Sequence, residues 1–407
     1  MTPPDHPPPL PDQEPTPLPA DEVIELVPEP VPVVRPVRRR YRPEPPQPGF
    51  WLAVAWCFGL LGSLYVPLVI AGLLTFAVMA FTSGDVSAFW KAESQQMQRV
   101  VGAGQAQPPR VPPPMPDGIS YSLAAGMAAG HVGSLTLALL LLRFGAGPDW
   151  KRKVALRRPP IVPLVLSLIV LPGLMLTHAA VHVGLHEFVE AAARMFDPKT
   201  DMGSGSMEGQ LKSMLSPWPI WLAVLVIGVG PGVIEEFFCR GYLGRGLVAR
   251  FGPVGGVLLT SMLFGMLHLA PLYAVGTMVM GVLLHITYLA TRSLWVPVLL
   301  HFLNNTLTVL SVLGVKTVRG LEAEPTEVPT AAYLLGVVLT VVGLWALWSC
   351  RARLVSTAPD QPAWRPDYPG VELPPRESGT VVRHRLPNPL ACVLTLAALG
   401  GLMYYLT

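Results

Sequence analysis

The chain has 407 residues, of which 51% are hydrophobic and only 14% charged, with a mean hydropathy of +0.47. Soluble domains carry about 25% charged residues, so the composition excludes an ordinary soluble domain and predicts an all-α, polytopic integral membrane protein. A formal net charge of +3 gives no basis for nucleic-acid binding, and four widely spaced cysteines without a CxxC read as small hydrophobes rather than a disulfide or zinc framework.

Residues 1–49 hold 17 prolines and turn from acidic to basic at Arg35–Arg42. Such a stretch cannot bury enough apolar surface to offset the entropy of ordering, and it predicts a disordered cytoplasmic tail. No cleavable signal peptide is expected, because the first apolar run follows this tail. Nine apolar spans of about 20 residues each are then predicted, roughly 50–80, 119–142, 160–182, 216–237, 254–271, 272–291, 294–314, 330–349 and 388–406. Pro67 interrupts the first, where a kink or tilt is expected. Gly126-x3-Gly130 in the second permits close helix contact. The organisation reads as a tail (1–49), N-terminal spans (50–150), a core (151–315) and C-terminal spans with a polar linker (316–407). The linker 354–387 is Pro-rich and is expected to be poorly ordered. Between the third and fourth spans, an amphipathic helix (Glu187 to Phe196) and a Gly/Ser turn are expected.

Lys and Arg near the span ends set orientation. Arg38–Arg42, Arg143 to Arg158, Arg240 to Arg250, Arg292 and Arg351/Arg353 fall on one side if there are nine spans, and Glu322, Glu324 and Glu327 on the other. That predicts a multi-pass protein of the cell membrane with a cytoplasmic N-terminus.

Charged residues at bilayer depth are costly and usually face a cavity that does chemistry or transport. Glu235-Glu236-Phe-Phe-Cys-Arg240 closes the fourth span. At i, i+4, Glu236 and Arg240 share a helix face in the favourable order for an ion pair. Glu235 points about 100° away and is left without that partner, free to act as a general base. Phe264-Gly-Met-Leu-His268 and His301-Phe-Leu-Asn304-Asn305 add two further constellations on later spans. Imidazole and amide on one face can hold an oxyanion or a water. On these boundaries Glu235 and His301 lie near the inner span ends, whereas His268 is about 14 residues, roughly 20 Å, into its own. A single site requires tilt, or a fifth span that begins later than residue 254.

These three motifs, EExxxR, FxxxH and HxxxN, in this order over residues 150–315, resemble the CAAX prenyl endopeptidase and bacteriocin-processing (CPBP, or abortive-infection) family of intramembrane proteases. The resemblance implies an endopeptidase acting near the C-terminus or membrane segment of a peptide or protein substrate, prenylated C-termini being the best-known type. It implies that Glu235 activates water, that His268 holds it, that His301 and Asn305 stabilise the oxyanion, and that Glu236 and Arg240 support them. A glutamate with two histidines is also a zinc ligand set. A divalent metal on Glu235, His268 and His301 and a metal-free water both stay open. Two rival readings are an ion- or proton-coupled transporter and a non-catalytic immunity or scaffold protein.

Outside these motifs, His178, His182 and His186 repeat every four residues beside Glu187 and Glu190, which permits a surface metal site or, more simply, a solvated helix end. His131 and His285 read as core or cavity-wall residues.

Overall fold

The computed structural model describes residues 44–83, 115–197, 207–314 and 328–406. The tail 1–43, most of the expected outer segment 83–118, the Gly/Ser turn near 203 and the acidic loop at Glu322 to Glu327 lie outside the described residues. Seven described helices are long and apolar enough to cross a membrane. In chain order the helices are α1 (Phe50–Ser83), α2 (Asp117–Gly145), the single-turn α3 (Trp150–Lys153), α4 (Ile161–Phe196), α5 (Met207–Leu215), α6 (Ile220–Met266), α7 (Pro271–Thr291), α8 (Trp295–Val312) and α9 (Thr330–Ser349). The shorter apolar α10 (Pro389–Leu406) ends the chain. Large apolar side chains such as Leu73, Val132, Val254, Leu334, Val341 and Leu396 stand exposed on the outside, the surface a bilayer covers and water would not tolerate.

α6 is a continuous 47-residue segment that a break at Gly252 divides into two helical arms, matching the two expected spans. At Gly252 its backbone turns to φ 74°, ψ 175°, a conformation open to glycine and costly for other residues. Pro253 then restarts the helix with a fixed φ. The two arms fold back tightly, with Gly256 against the backbone of Leu247 and Val248. This settles the depth mismatch in a way the sequence did not anticipate. The second arm begins where expected; the first runs on past 237 to residue 251. Glu235 therefore stands 17 residues before the fold-back and His268 16 after it, each roughly 25 Å along its arm. With the arms counted separately, the described apolar segments number nine.

Small residues set the helix spacing. Gly130 and Gly126 of α2 lie directly on α1, so that a Cβ at Gly130 would sit 2.5 Å from the Leu64 carbonyl oxygen and one at Gly126 2.9 Å from the Leu68 Cα. α1 runs as helix through Pro67, whose carbonyl faces Gly126. Ser63 and Ser134 share a 2.7 Å hydrogen bond across the same pair. On the far side, Gly336 and Gly343 of α9 admit Leu176 and Val170 of α4.

The linker 354–387 is ordered, contrary to expectation. β1 (Arg353–Ser356) pairs antiparallel with β2 (Thr380–Arg383). Between them, Val371 is buried in the main apolar cluster, and Glu372 receives Arg245 at 3.1 Å while its carbonyl accepts from Arg292 at 3.2 Å. The Leu373 amide donates to Arg152 O at 3.2 Å. Arg250 donates to the carbonyls of Pro45, Pro46 and Pro48. The Arg-rich ends of α3, α6 and α7 thus hold down segments that composition alone marks as disorder-prone. Burial lowers the proton affinity of the Arg157 and Arg292 guanidinium groups here, though each stays a cation at any physiological pH.

Gly130→Val should separate α1 from α2, since overpacking a close contact costs about 1–3 kcal/mol. The expected result is a lower thermal midpoint and folded yield in detergent, measured beside Gly72→Ala on the open face of α1, where a Cβ meets nothing within 4 Å.

Candidate active site

The first arm of α6 is not a regular helix. It passes through a π-type stretch at Val224–Val229, returns to α at Gly230–Glu236, and widens again at Phe237–Leu243. Such bulges are rare and frequent at functional sites. Between them stand the two glutamates, with opposite surroundings.

Glu236 is fully buried, and its Oε1 accepts from Arg240 Nη1 at 2.7 Å and from His301 Nδ1 at 2.9 Å. Arg240, also buried, donates through Nη2 to Gly281 O at 2.8 Å, and its guanidinium lies over the Phe264 ring, 4.7 Å from the centroid. The expected Glu236–Arg240 pair is present. Its third member, His301, comes from α8, 65 residues on.

Phe264 explains the aromatic in its motif. Besides Arg240, its ring meets His301 edge-on at 5.8 Å and His268 edge-on at 5.4 Å between centroids. His268 Nδ1 also donates to Phe264 O at 3.2 Å, which leaves Nε2 as the free ring nitrogen. Asn305, one turn beyond His301, donates from Nδ2 to Ile227 O at 3.2 Å, in the first π stretch, and its Oδ1 accepts from Asn304 at 3.0 Å. One N–H of the Asn305 amide remains.

Glu235 is different. It is half-buried, makes no hydrogen bond or ion pair among the described residues, and has one carboxylate oxygen, Oε2, shut off from solvent without a partner. An unpaired carboxylate at this depth is expensive to keep.

Close approach of α6 and α8 makes the constellation possible. A Cβ at Gly232 would lie 2.9 Å from the Phe302 amide nitrogen, and one at Gly228 2.7 Å from Thr306 Oγ1. Gly228-x3-Gly232 is a small-residue spacing that was legible in the sequence and went unread. His131 packs against Gly230, and His285 against Gly244, as wall residues.

The histidine stripe on α4 is not the solvated end it was read to be. His178 and His182 lay their rings against Tyr273 of α7, at 5.5 and 5.7 Å, and Tyr273 in turn meets His268 at 5.6 Å. His186 lies beside Glu190 at 3.9 Å. Among the described residues no group of three or more His, Cys, Asp or Glu is arranged to hold a metal. Glu235, His268 and His301 are not brought together as such a group. Neither a zinc site in this set nor a metalloprotease is supported.

Residues 217–307 match the family model of the type II CAAX prenyl endopeptidases, Rce1-like. This segment is Rce1-like. It takes in Glu235, Glu236, Arg240, Phe264, His268, His301 and Asn305, and it supports an intramembrane CAAX-type endopeptidase over a transporter or an inert scaffold. No curated protein and no solved structure matches the chain.

Glu236→Gln removes the charge that Arg240 and His301 share. Breaking a buried pair by deleting one partner costs roughly 3–5 kcal/mol, so folded yield should fall sharply. Glu235→Gln, which breaks no pair, should leave it near wild type. Size-exclusion profiles of the two variants in detergent check this.

Proposed function

We propose that the protein is an intramembrane endopeptidase that hydrolyses a peptide bond near the C-terminus or membrane segment of its substrate, with water activated by Glu235. The observation that carries this reading is the Glu235 carboxylate, without a partner among the described residues, in an Rce1-like segment that also holds two oriented imidazoles.

In this reading Glu235 takes a proton from water as the water oxygen attacks the scissile carbonyl carbon. His268 Nε2, freed by the Nδ1 bond to Phe264 O, accepts the water's second hydrogen. The carbonyl oxygen becomes an oxyanion, met by the remaining Asn305 N–H and by His301. Glu236 orients the His301 ring much as a carboxylate orients the histidine of a serine triad, and with a proton on Nε2 that ring donates to the oxyanion. The C–N bond then breaks as Glu235 returns its proton to the leaving amine. No step requires a metal.

A lipid-modified substrate fits a neighbouring feature. A cavity of about 430 Å³ between α4, α6 and α8 is lined by Pro159, Leu164, Val229, Val233, Val298 and Phe302, among others. Its walls are apolar throughout, and Val233 and Phe302 adjoin the site through Glu235 and His301. An isoprenoid or acyl chain is the kind of group such walls take.

Glu235→Gln should lower cleavage by roughly 10²–10⁴. His301→Ala and Asn305→Ala should each cost on the order of 10²–10³ through lost oxyanion stabilisation. Quantitative proteomics of membranes carrying wild type or Glu235→Gln would reveal trimmed C-termini present only with the former; identical peptide sets would reject the reading.

The proposed orientation puts the N-terminus in the cytoplasm, supported by the meeting of Arg152, Arg245, Arg250 and Arg292 at one end of the bundle and the positive-inside rule. A cysteine introduced at Arg158 should resist impermeant thiol reagent applied to intact cells. Labelling there from outside would invert the topology.

A further inference from the structure

Three polar atoms, two of them on motif residues, have no hydrogen-bond partner among the described residues. Glu235 Oε2 is buried and unpartnered. His268 has Nε2 free because Nδ1 is spent on Phe264 O. Tyr273 meets His178 and His182 edge-on and His268 at a tilt, lies within electrostatic reach of the Glu235 carboxylate, and its hydroxyl makes no hydrogen bond among the described residues. Three imidazole rings thus border the phenol. Gly276, one turn along α7, lets this helix approach α4: a Cβ there would stand 3.1 Å from the His178 ring. The α4 histidines thereby act as a backstop for the phenol.

A nucleophilic water has two hydrogens and two lone pairs. One hydrogen goes to the base and one lone pair to the carbonyl carbon. The remaining hydrogen and lone pair need an acceptor and a donor if the water is to be aimed rather than merely present. His268 Nε2 is the acceptor. In this reading Glu235 is the base, and His301 is assigned to the oxyanion. Among the described residues whose rings meet His268, Tyr273 carries a hydroxyl.

We infer that Tyr273 is a further catalytic residue, its hydroxyl donating a hydrogen bond to the oxygen of the attacking water while Glu235 and His268 accept that water's two hydrogens. The assignment rests on the endopeptidase reading above. It makes α4 part of the catalytic apparatus, since His178 and His182 hold Tyr273 in place, although α4 precedes the Rce1-like segment. His178 and His182 are positioning residues; Tyr273 touches the reacting atom.

The test is Tyr273→Phe, which keeps the ring and its three contacts and removes only the hydroxyl. With the purified full-length protein and a lipid-modified peptide substrate, kcat should fall on the order of 10²-fold, the usual cost of one preorganised hydrogen bond. KM and thermal midpoint should stay unchanged, the pattern of an interaction made on the way to the transition state. Groups that act on one water are non-additive. Tyr273→Phe placed in a Glu235→Gln background should therefore cost much less than it does alone. His178→Ala gives a second route: it should lower kcat by loosening the phenol, and adding Tyr273→Phe to it should cost little more. Wild-type rates for Tyr273→Phe, or its full loss persisting in the Glu235→Gln background, would overturn the assignment while leaving the endopeptidase reading intact. Failure of the wild-type protein to cleave any such peptide would overturn both.

Discussion

The structure depends on keeping one carboxylate, that of Glu236, charged and dry. A charge at bilayer depth costs several kcal/mol, and an ion pair repays that only when geometry is good and the remaining donors are satisfied. Here a single oxygen takes both Arg240 and His301, and Arg240 has two further outlets, the Gly281 carbonyl and the Phe264 ring. Both arms of α6, together with α7 and α8, each supply one part. A shift of any of the four would remove a partner from a buried charge. That couples the stability of the bundle to the orientation of His301.

Glycine makes the shared contact geometrically possible. Gly232 brings the α8 backbone against α6, and Gly281 brings α7 against Phe264 and Ser261, where a Cβ would lie 3.0 Å from each. In lipid there is little hydrophobic gain from helix association, so close packing and interhelical polar bonds carry it. The two π-type stretches add to this. They widen α6 on either side of the glutamates, and one of them presents Ile227 O to Asn305. A regular α-helix would offer that carbonyl already engaged with its own chain.

Neighbouring glutamates thus receive opposite fates from one turn of helix. Each keeps one buried oxygen without a partner, but Glu236 Oε1 is paired with Arg240 and His301 whereas Glu235 makes no pair among the described residues. Stability spent on the second is recovered through the first, as expected where local rules are broken for a site. The parts of the chain beyond residues 217–307 support this arrangement from outside. Residues 45–48 and 371–374 clasp the basic residues of α3, of α6 near its fold-back at Gly252 and of the end of α7, and that fold-back sets the depth of His268 relative to Glu235.

The sequence by itself determined the membrane class, the approximate spans, the three motif groups and the Glu236–Arg240 pair. These are properties of composition, of apolar run length and of the i, i+4 face of one helix, all local. It also placed Glu235 apart from that pair, by the same helical arithmetic. Only the tertiary structure decided that the turn between the fourth and fifth spans falls at Gly252, because a long apolar run does not say where it turns. It alone brought His301 to Glu236, placed Phe264 between two imidazoles, and set His178 and His182 behind Tyr273. Those contacts join residues tens of positions apart through helix tilt and glycine-mediated approach, which no single-helix periodicity encodes. The linker 354–387 failed to read as ordered for a related reason. Its own composition cannot bury a core, and what orders it is a ring of arginines contributed by other helices.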